Sequence, residues 1–297
     1  MLAYTRSPES SAGSVAFETL DRRLIVVSDE AKILEYLRSA YRRVSVALPS
    51  TRDESVDCGE ILAHNGQAWL SFNGEPMPFP HDVPATNFRR AFYGSSKLMR
   101  ASFRRNADWH SLYAAALGVR GKALIILAQS GIGKTTLALE LMARGASFLS
   151  DEFVFVRKSD RLVRGLPRAM LIRERTLTIF DDPRLRAVCE ASTPRMPHGD
   201  RVWDDIDPGD VFGEGVFGEP APLAAVVLLQ RRNGITASVE PVPSAVAGAD
   251  LCTRLNADLS AFDRLTTSVG LLSGIPCYRI GTSSPRCAAD AIGEVLR

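Results

Sequence analysis

The chain has 297 residues, enough at roughly 150 residues per domain for one large domain or two modest ones. Hydrophobic residues make up 45% and charged residues 24%, which is ordinary for a globular chain with a real core. Thirty-six basic against 34 acidic side chains leave a net charge of +2, so global charge gives no case for a nucleic-acid partner. The five cysteines, Cys58, Cys189, Cys252, Cys277 and Cys287, are odd in number and widely spaced with no CxxC, which argues against a disulfide framework or a zinc site. Reduced thiols and an N-terminus without the apolar core of a signal peptide point to a cytoplasmic protein. The longest apolar runs, Pro222–Leu229 and Ala123–Ala128, are far too short to span a membrane.

In chain order, Phe17–Val27 reads as strand. Ser28 is a plausible N-cap for a helix running to about Arg43, with Asp29 and Glu30 in its first turn. Ile61–Ala63 and Ala68–Phe72 flank His64-Asn-Gly-Gln, a strong hairpin signal. Residues 73–87 are rich in Pro, Asn and Gly and read as a linker. They divide an N-terminal α+β domain (1–87) from a second domain (88–297). A helix is expected from Phe88 to about Leu112, carrying Arg89, Arg90, Lys97, Arg100, Arg104 and Arg105 against the single acid Asp108. Such a run is either a solvated face or an electropositive contact for an acidic partner.

A strand–loop–helix unit follows. Ala123–Leu127 is a buried strand, residues 128–135 are a loop, and Thr136–Arg144 is a helix closed by Gly145. Ser147–Leu149 and Phe153–Val156 surround Ser150-Asp-Glu and read as the next strand, implying a parallel βαβ element. Residues 181–221 lack periodicity and include DDIDPGDVFGEGVFGEP, which reads as irregular chain forming a mobile substrate loop. Asp204, Asp205, Asp207 and Asp210 in it lack EF-hand spacing. Leu223–Gln230, Ala237–Val242 and Pro276–Ile280 are expected strands; Val246–Asn256 and Ala288–Leu296 are expected helices. The fold class expected is α/β, a mixed and largely parallel sheet carrying the loop at its C-terminal edge.

The loop Ala128-Gln129-Ser130-Gly131-Ile132-Gly133-Lys134-Thr135, followed by Thr136, is a P-loop in sequence. Backbone N–H groups of such a loop converge on phosphates, and the positive end of the following helix adds to the attraction. Gly131 and Gly133 permit the close approach, Lys134 is placed to reach the β- and γ-phosphates, and Thr135 to ligate magnesium. The expected cofactors are therefore ATP and Mg2+. Ala128 stands where the pattern GxxxxGK[ST] has its first glycine. Asp151 and Glu152 lie one helix further on; one of them can hold magnesium and the other can deprotonate a hydroxyl nucleophile. Glu174 is a further candidate magnesium ligand beside a reading as a surface acid. Arg168, Arg173 and Arg175 are candidate phosphate contacts among which the sequence does not choose. His64, His81, His110 and His198 have no metal-ligand spacing.

The run GKALIILAQSGIGKTTLALELMARGASFLSDEFVFV resembles the core of the HPr kinase/phosphorylase superfamily, over roughly residues 108–180. It is similar above all to HPr-kinase-related proteins with a P-loop, an Arg-Gly turn (Arg144-Gly145) and an acidic pair (Asp151-Glu152). The resemblance implies an ATP-dependent kinase acting on a Ser or Thr hydroxyl of a protein or ribosomally made peptide, and it leaves room for a homo-oligomer. The family usually has a histidine fifteen residues before the loop; Tyr113 stands there, and His110 is a candidate catalytic substitute one helical turn earlier if the segment is helical. The acidic pair is Asp-Glu rather than Asp-Asp, which favours a one-way kinase. An ATP-binding regulatory module with slow hydrolysis and a small-molecule kinase are the alternatives. The basic run lacks the interleaved aromatics of a nucleic-acid surface.

Overall fold

The computed structural model describes residues 13–49, 54–64, 67–79, 87–193, 201–232, 234, 237–255 and 259–295. The chain divides into two compact units, Met1–Asn106 and Ala107–Arg297.

The first unit holds strands β1 (Gly13–Thr19), β2 (Arg22–Ser28), β3 (Ser45–Val46), β4 (Val56–His64), β5 (Gln67–Phe72) and β6 (Glu75–Met77), with helices α1 (Ala31–Ala40) and α2 (Asn87–Arg104). The sheet order is β3-β1-β2-β4-β5-β6. The expected hairpin forms with His64 paired to Gln67. Ser28 is not the helix cap: its hydroxyl accepts from the Glu30 amide and donates to the Ile61 carbonyl, and Glu30 takes the N-cap position. The expected linker contains β6, and residues 80–86 of it lie outside the described residues.

Helix α2 stops at Arg104, eight residues before the expected end, and it packs on α1 and β4 of the first unit rather than opening the second. Ala91, Leu98, Met99 and Phe103 recur at helical spacing and are buried. Two cations of its basic run are structural. Arg90 pairs with Glu30 at 2.7 Å, and Arg105, just beyond the helix, reaches the fully buried Asp57 at 3.0 Å.

The second unit contains strands β7 (Trp109–Tyr113), β8 (Ala115–Val119), β9 (Lys122–Leu127), β10 (Ser147–Ser150), β11 (Phe153–Arg157), β12 (Leu162–Gly165), β13 (Met170–Arg173), β14 (Val202–Ile206), β15 (Ala221–Arg231), β16 (Ser238–Pro241) and β17 (Cys277–Thr282). Its helices are α3 (Lys134–Ala143), α4 (Glu174–Ile179), α5 (Pro183–Ala191), α6 (Pro208–Phe212), α7 (Ser244–Cys252), α8 (Ala261–Leu271) and α9 (Pro285–Val295). The main sheet runs β10-β8-β9-β15-β12-β11-β7, with β17 also on β15 and β16 on β17.

The architecture is mixed α/β, but the sheet is mostly antiparallel, not largely parallel. Within this sheet, among the described residues, only β9–β15 and β15–β17 are parallel pairs; its other six pairings are antiparallel. The cause is local. Arg120 (φ 52°) and Gly121 (φ 73°) form a two-residue hairpin turn that folds β8 directly onto β9. Hence β10 runs in the direction of β9 but with β8 between them, and the parallel neighbour of β9 is β15.

Strand β9 is buried on both faces, which explains its unbroken apolar run. Leu124 and Ile126 face a core with Leu137, Ala138 and Leu141 of α3 and Ile292 of α9. Ile125 and Leu127 face a second core with Leu251 of α7 and Leu271 of α8. The segment expected to be irregular, 181–221, instead carries α5, β14 and α6. Two of its acids are helix caps: Asp182 accepts from the Arg184 amide and Asp207 from the Gly209 amide. Asp207 is buried, which does not suit a mobile loop. Residues 194–200 lie outside the described residues. Among the described residues no helix is long and apolar enough to cross a membrane.

Candidate functional site

The loop from Ala128 to Gly133 leaves the C-terminal end of β9, and α3 begins at Lys134. Ala128 is buried and has no positive φ, so an alanine costs nothing where the motif has glycine. Gly131 (φ 82°) and Gly133 (φ 119°) do take left-handed conformations, and Gly133 is the N-cap of α3. Open space lies within 4 Å of a Cβ built on Gly133, so conformation and not crowding requires glycine there. At its other end α3 closes with paired bonds, Gly145 N–H to Met142 O at 2.9 Å and Ala146 N–H to Leu141 O at 3.0 Å. That is a Schellman motif with Gly145 one position past the cap residue Arg144. Arg144 ties the turn to α9 through Asp290 at 2.6 Å.

Four strand ends converge on the loop. Strand β11 pairs with β7 so that Phe153 lies opposite Tyr113, which puts Tyr113 beside the turn between β10 and β11. Ser150 fixes that turn: its hydroxyl accepts from the amides of Glu152 (3.3 Å) and Phe153 (3.0 Å) and donates to the Leu166 carbonyl. The turn splits the acidic pair. Asp151 faces the P-loop, where its Oδ1 lies 2.5 Å from Lys134 Nζ and its Oδ2 accepts from Thr135 Oγ1 at 2.6 Å. Lys134 also donates to the Asp151 carbonyl. Glu152 instead pairs with the buried Arg168 at 2.6 Å. The Lys134 ammonium lies 5.6 Å from the centroid of the Tyr113 ring.

Two arginines brace the loop backbone. Arg254, following α7, donates to the Ala128 carbonyl at 2.7 Å and is held by Asp250 at 2.8 Å. Arg175 in α4 donates to the Gly131 carbonyl at 2.8 Å. No sequence signal marks Arg254, because its partner lies 126 residues away. Arg168 and Arg175 were visible as basic residues; their different partners were not.

The structure thus brings together Lys134, Thr135, Asp151, Tyr113 and Arg175 at the loop, with Glu152 and Arg168 adjoining. It separates two other candidates from them. Glu174 is bound to Arg201, with Oε1 to Nε 2.9 Å, and this guanidinium holds its carboxyl below the usual range, so it is a surface ion pair. His110 lies in strand β7, not in a helix, opposite Val156. It is three residues from Tyr113, roughly 10 Å at about 3.3 Å per residue, and on the other strand face. Burial first, and Lys158 second, push its pKa down.

Thr135 Oγ1 and the Asp151 carboxylate are hard oxygen donors of the kind magnesium uses when nucleotide phosphates and water complete its shell. Among the described residues no group of three or more His, Cys, Asp or Glu side chains assembles as a metal cage. The site thus belongs to the strand–loop–helix class, with a loop of P-loop sequence and a lysine and a carboxylate converging on its mouth.

Sequence comparison narrows that class. No protein-family model matches the chain. It is 26% identical over 150 residues to an HPr kinase/phosphorylase of Clostridium novyi (strain NT), covering 46% of this chain and 48% of that protein. It is 28% identical over 133 residues to an HPr kinase/phosphorylase of Clostridium botulinum (strain Eklund 17B / Type B), covering 41% and 44%. The chain therefore spans about half the length of the curated relatives it matches. A solved structure, the Hpr(Ser) kinase/phosphatase from Coxiella burnetii, aligns at 12% identity with a TM-score of 0.33, covering 63% of this chain and 90% of that one. The similarity of this chain to the HPr kinase/phosphorylase superfamily is thereby a finding of sequence comparison as well as of motif.

Proposed function

We propose that this protein is an ATP-dependent kinase that transfers the γ-phosphate to a serine or threonine hydroxyl of a protein or ribosomally made peptide, with Mg2+. The observation that carries the reading is Asp151 accepting from both Lys134 and Thr135. The three groups that must manage phosphate charge and metal are already in mutual contact. Thr135 and Asp151 would hold magnesium, which would supply positive charge against the charge that develops on the phosphates.

In this reading the loop amides and Lys134 bind the β- and γ-phosphates, while Thr135 and Asp151 hold the metal side. Glu152 takes the acceptor's proton. The acceptor oxygen forms a bond to the γ-phosphorus, the bond to the β,γ-bridging oxygen breaks, and ADP leaves with that electron pair. Arg168 holds Glu152 in position through their 2.6 Å ion pair.

The test is incubation with γ-labelled ATP, Mg2+ and candidate acceptors, including a co-expressed peptide read by mass spectrometry. Label on a Ser or Thr hydroxyl, lost in Asp151→Ala with Glu152→Ala, is the expected result. No transfer to any acceptor, or transfer that survives the double substitution, overturns it. A second reading, an ATP-binding regulatory module with slow hydrolysis, is favoured by one observation: a tyrosine, Tyr113, adjoins Lys134 where the resemblance leads one to expect a histidine. It calls for nucleotide binding lost in Lys134→Ala with no acceptor found. Label on small hydroxylated metabolites would instead support a small-molecule kinase.

A further inference from the structure

The arginines around this site differ in what they hold. Arg168 is bound to Glu152, Arg201 to Glu174, Arg184 to Asp182, and Arg254 to Asp250. Each of those cations is matched by a carboxylate. Arg175 is different: its described hydrogen bond runs to a neutral acceptor, the carbonyl of Gly131 in the P-loop. The guanidinium lies close against the loop, because a Cβ on Gly131 would sit 3.3 Å from Arg175 Nη2. The side chain is exposed, so packing does not hold it in place.

Gly131 is the fourth residue of the eight-residue loop, at the middle of the turn that a phosphate chain would occupy. An arginine there that, among the described residues, has no carboxylate partner places a positive charge at the loop mouth. Exchanging a hydrogen bond to a neutral carbonyl for one to a phosphate oxygen is favourable, since charge-assisted bonds are roughly twice as strong. The planar fork also suits two oxygens of one phosphate.

We propose that Arg175 is an arginine supplied in cis that leaves the Gly131 carbonyl for the terminal phosphate, and so makes the site prefer a nucleoside triphosphate to a diphosphate. The assignment rests on the triphosphate-binding reading above. It requires no knowledge of the acceptor. An arginine so placed also meets the charge that develops on the phosphoryl group during transfer.

Calorimetric titration with Mg·ATP and with Mg·ADP tests it, using the wild type, Arg175→Ala, Arg175→Lys and, as a charge-matched control, Arg186→Ala. In Arg175→Ala, ATP affinity falls at least about tenfold while ADP affinity stays within about twofold, as expected for loss of one charge-assisted contact. Arg175→Lys, which keeps the charge but not the fork, lies between. Arg186→Ala, at an exposed position where the cation is matched by Asp181 at 2.8 Å, leaves both affinities unchanged. Equal losses for ATP and ADP, or no loss for either, overturn the role of Arg175 while leaving the kinase reading intact. A wild type that binds neither nucleotide overturns both. A thermal melt of each variant confirms that the fold is retained.

Discussion

Arg168 donates to Glu152 at 2.6 Å, from a guanidinium whose side chain is only 5% exposed. A buried ion pair adds little net stability, but breaking it by removing one partner strands a charge away from water. Arg168→Ala should therefore destabilise the second unit by about 3–5 kcal/mol in denaturant unfolding. Arg168→Met combined with Glu152→Met should recover most of that loss, because no charge is then stranded. A double variant as damaged as the sum of its single substitutions would show that the pair acts through packing.

Asp151 sits beside Lys134 and Thr135, in the region the phosphates would share. Its negative charge opposes phosphate binding until a metal ion intervenes. Asp151→Asn should bind ATP more tightly than the wild type in the absence of Mg2+ and lose the response to Mg2+. If the kinase reading holds, transfer falls at least about a hundredfold, the scale on which a positioned catalytic group acts. Titration of labelled ATP with and without EDTA measures the first effect. Weaker metal-free binding in Asp151→Asn would mean that Asp151 mainly positions Lys134.

Much of this site was legible in the sequence because it is built from contiguous chain. The strand, loop and helix from Lys122 to Ala143 follow from an apolar run, two glycines and helix formers, with boundaries shifted by about two residues. The acidic pair was found but not its division, since Ser150 and Arg168 decide which carboxylate turns where. Partners distant in sequence, such as Arg254 and Ala128, leave no local pattern. Sheet direction was missed because Arg120-Gly121 lacks the usual asparagine or aspartate of a hairpin turn, although both residues take positive φ. The end of α2 was missed because the basic run continues through Arg105, and only the pairing of Trp109–Tyr113 with β11 shows the change to strand. Helix α8 was missed altogether: its exposed face carries Phe262 and Leu265, which blurs the amphipathic pattern.

His110 gives a pH prediction. Burial lowers its folded-state pKa below the ordinary value of 6.5, so the unfolded chain binds the proton more readily. Stability then rises with pH wherever the unfolded state holds more protons. The contribution of His110 is complete above pH 6.5 and is lost as pH falls through that value toward its folded-state pKa. His110→Gln should flatten the fall in unfolding free energy on acidification from neutral pH, and it should leave nucleotide binding unchanged. An unaltered pH slope would mean that other groups carry the effect.

Two glycines of the second unit separate conformational from steric cost. Gly145 closes α3 at φ 91°, and a Cβ there would meet nothing within 4 Å. Gly145→Ala should cost about 1 kcal/mol, the penalty of a left-handed backbone on a residue with a Cβ. Gly165 ends β12 against the turn that carries Asp151 and Glu152, and a Cβ there would lie 2.0 Å from the Leu149 carbonyl oxygen. That acceptor belongs to the backbone and cannot swing aside, so Gly165→Ala must displace β10 or β12. The expected cost is about 3 kcal/mol or more, at the upper end of overpacking. Because β10 leads directly into Ser150 and Asp151, Gly165→Ala should also weaken nucleotide binding, whereas Gly145→Ala should not. Paired unfolding and ATP-binding measurements decide it. Equal stability losses with unchanged binding in both variants would show that β10 can shift without moving Asp151.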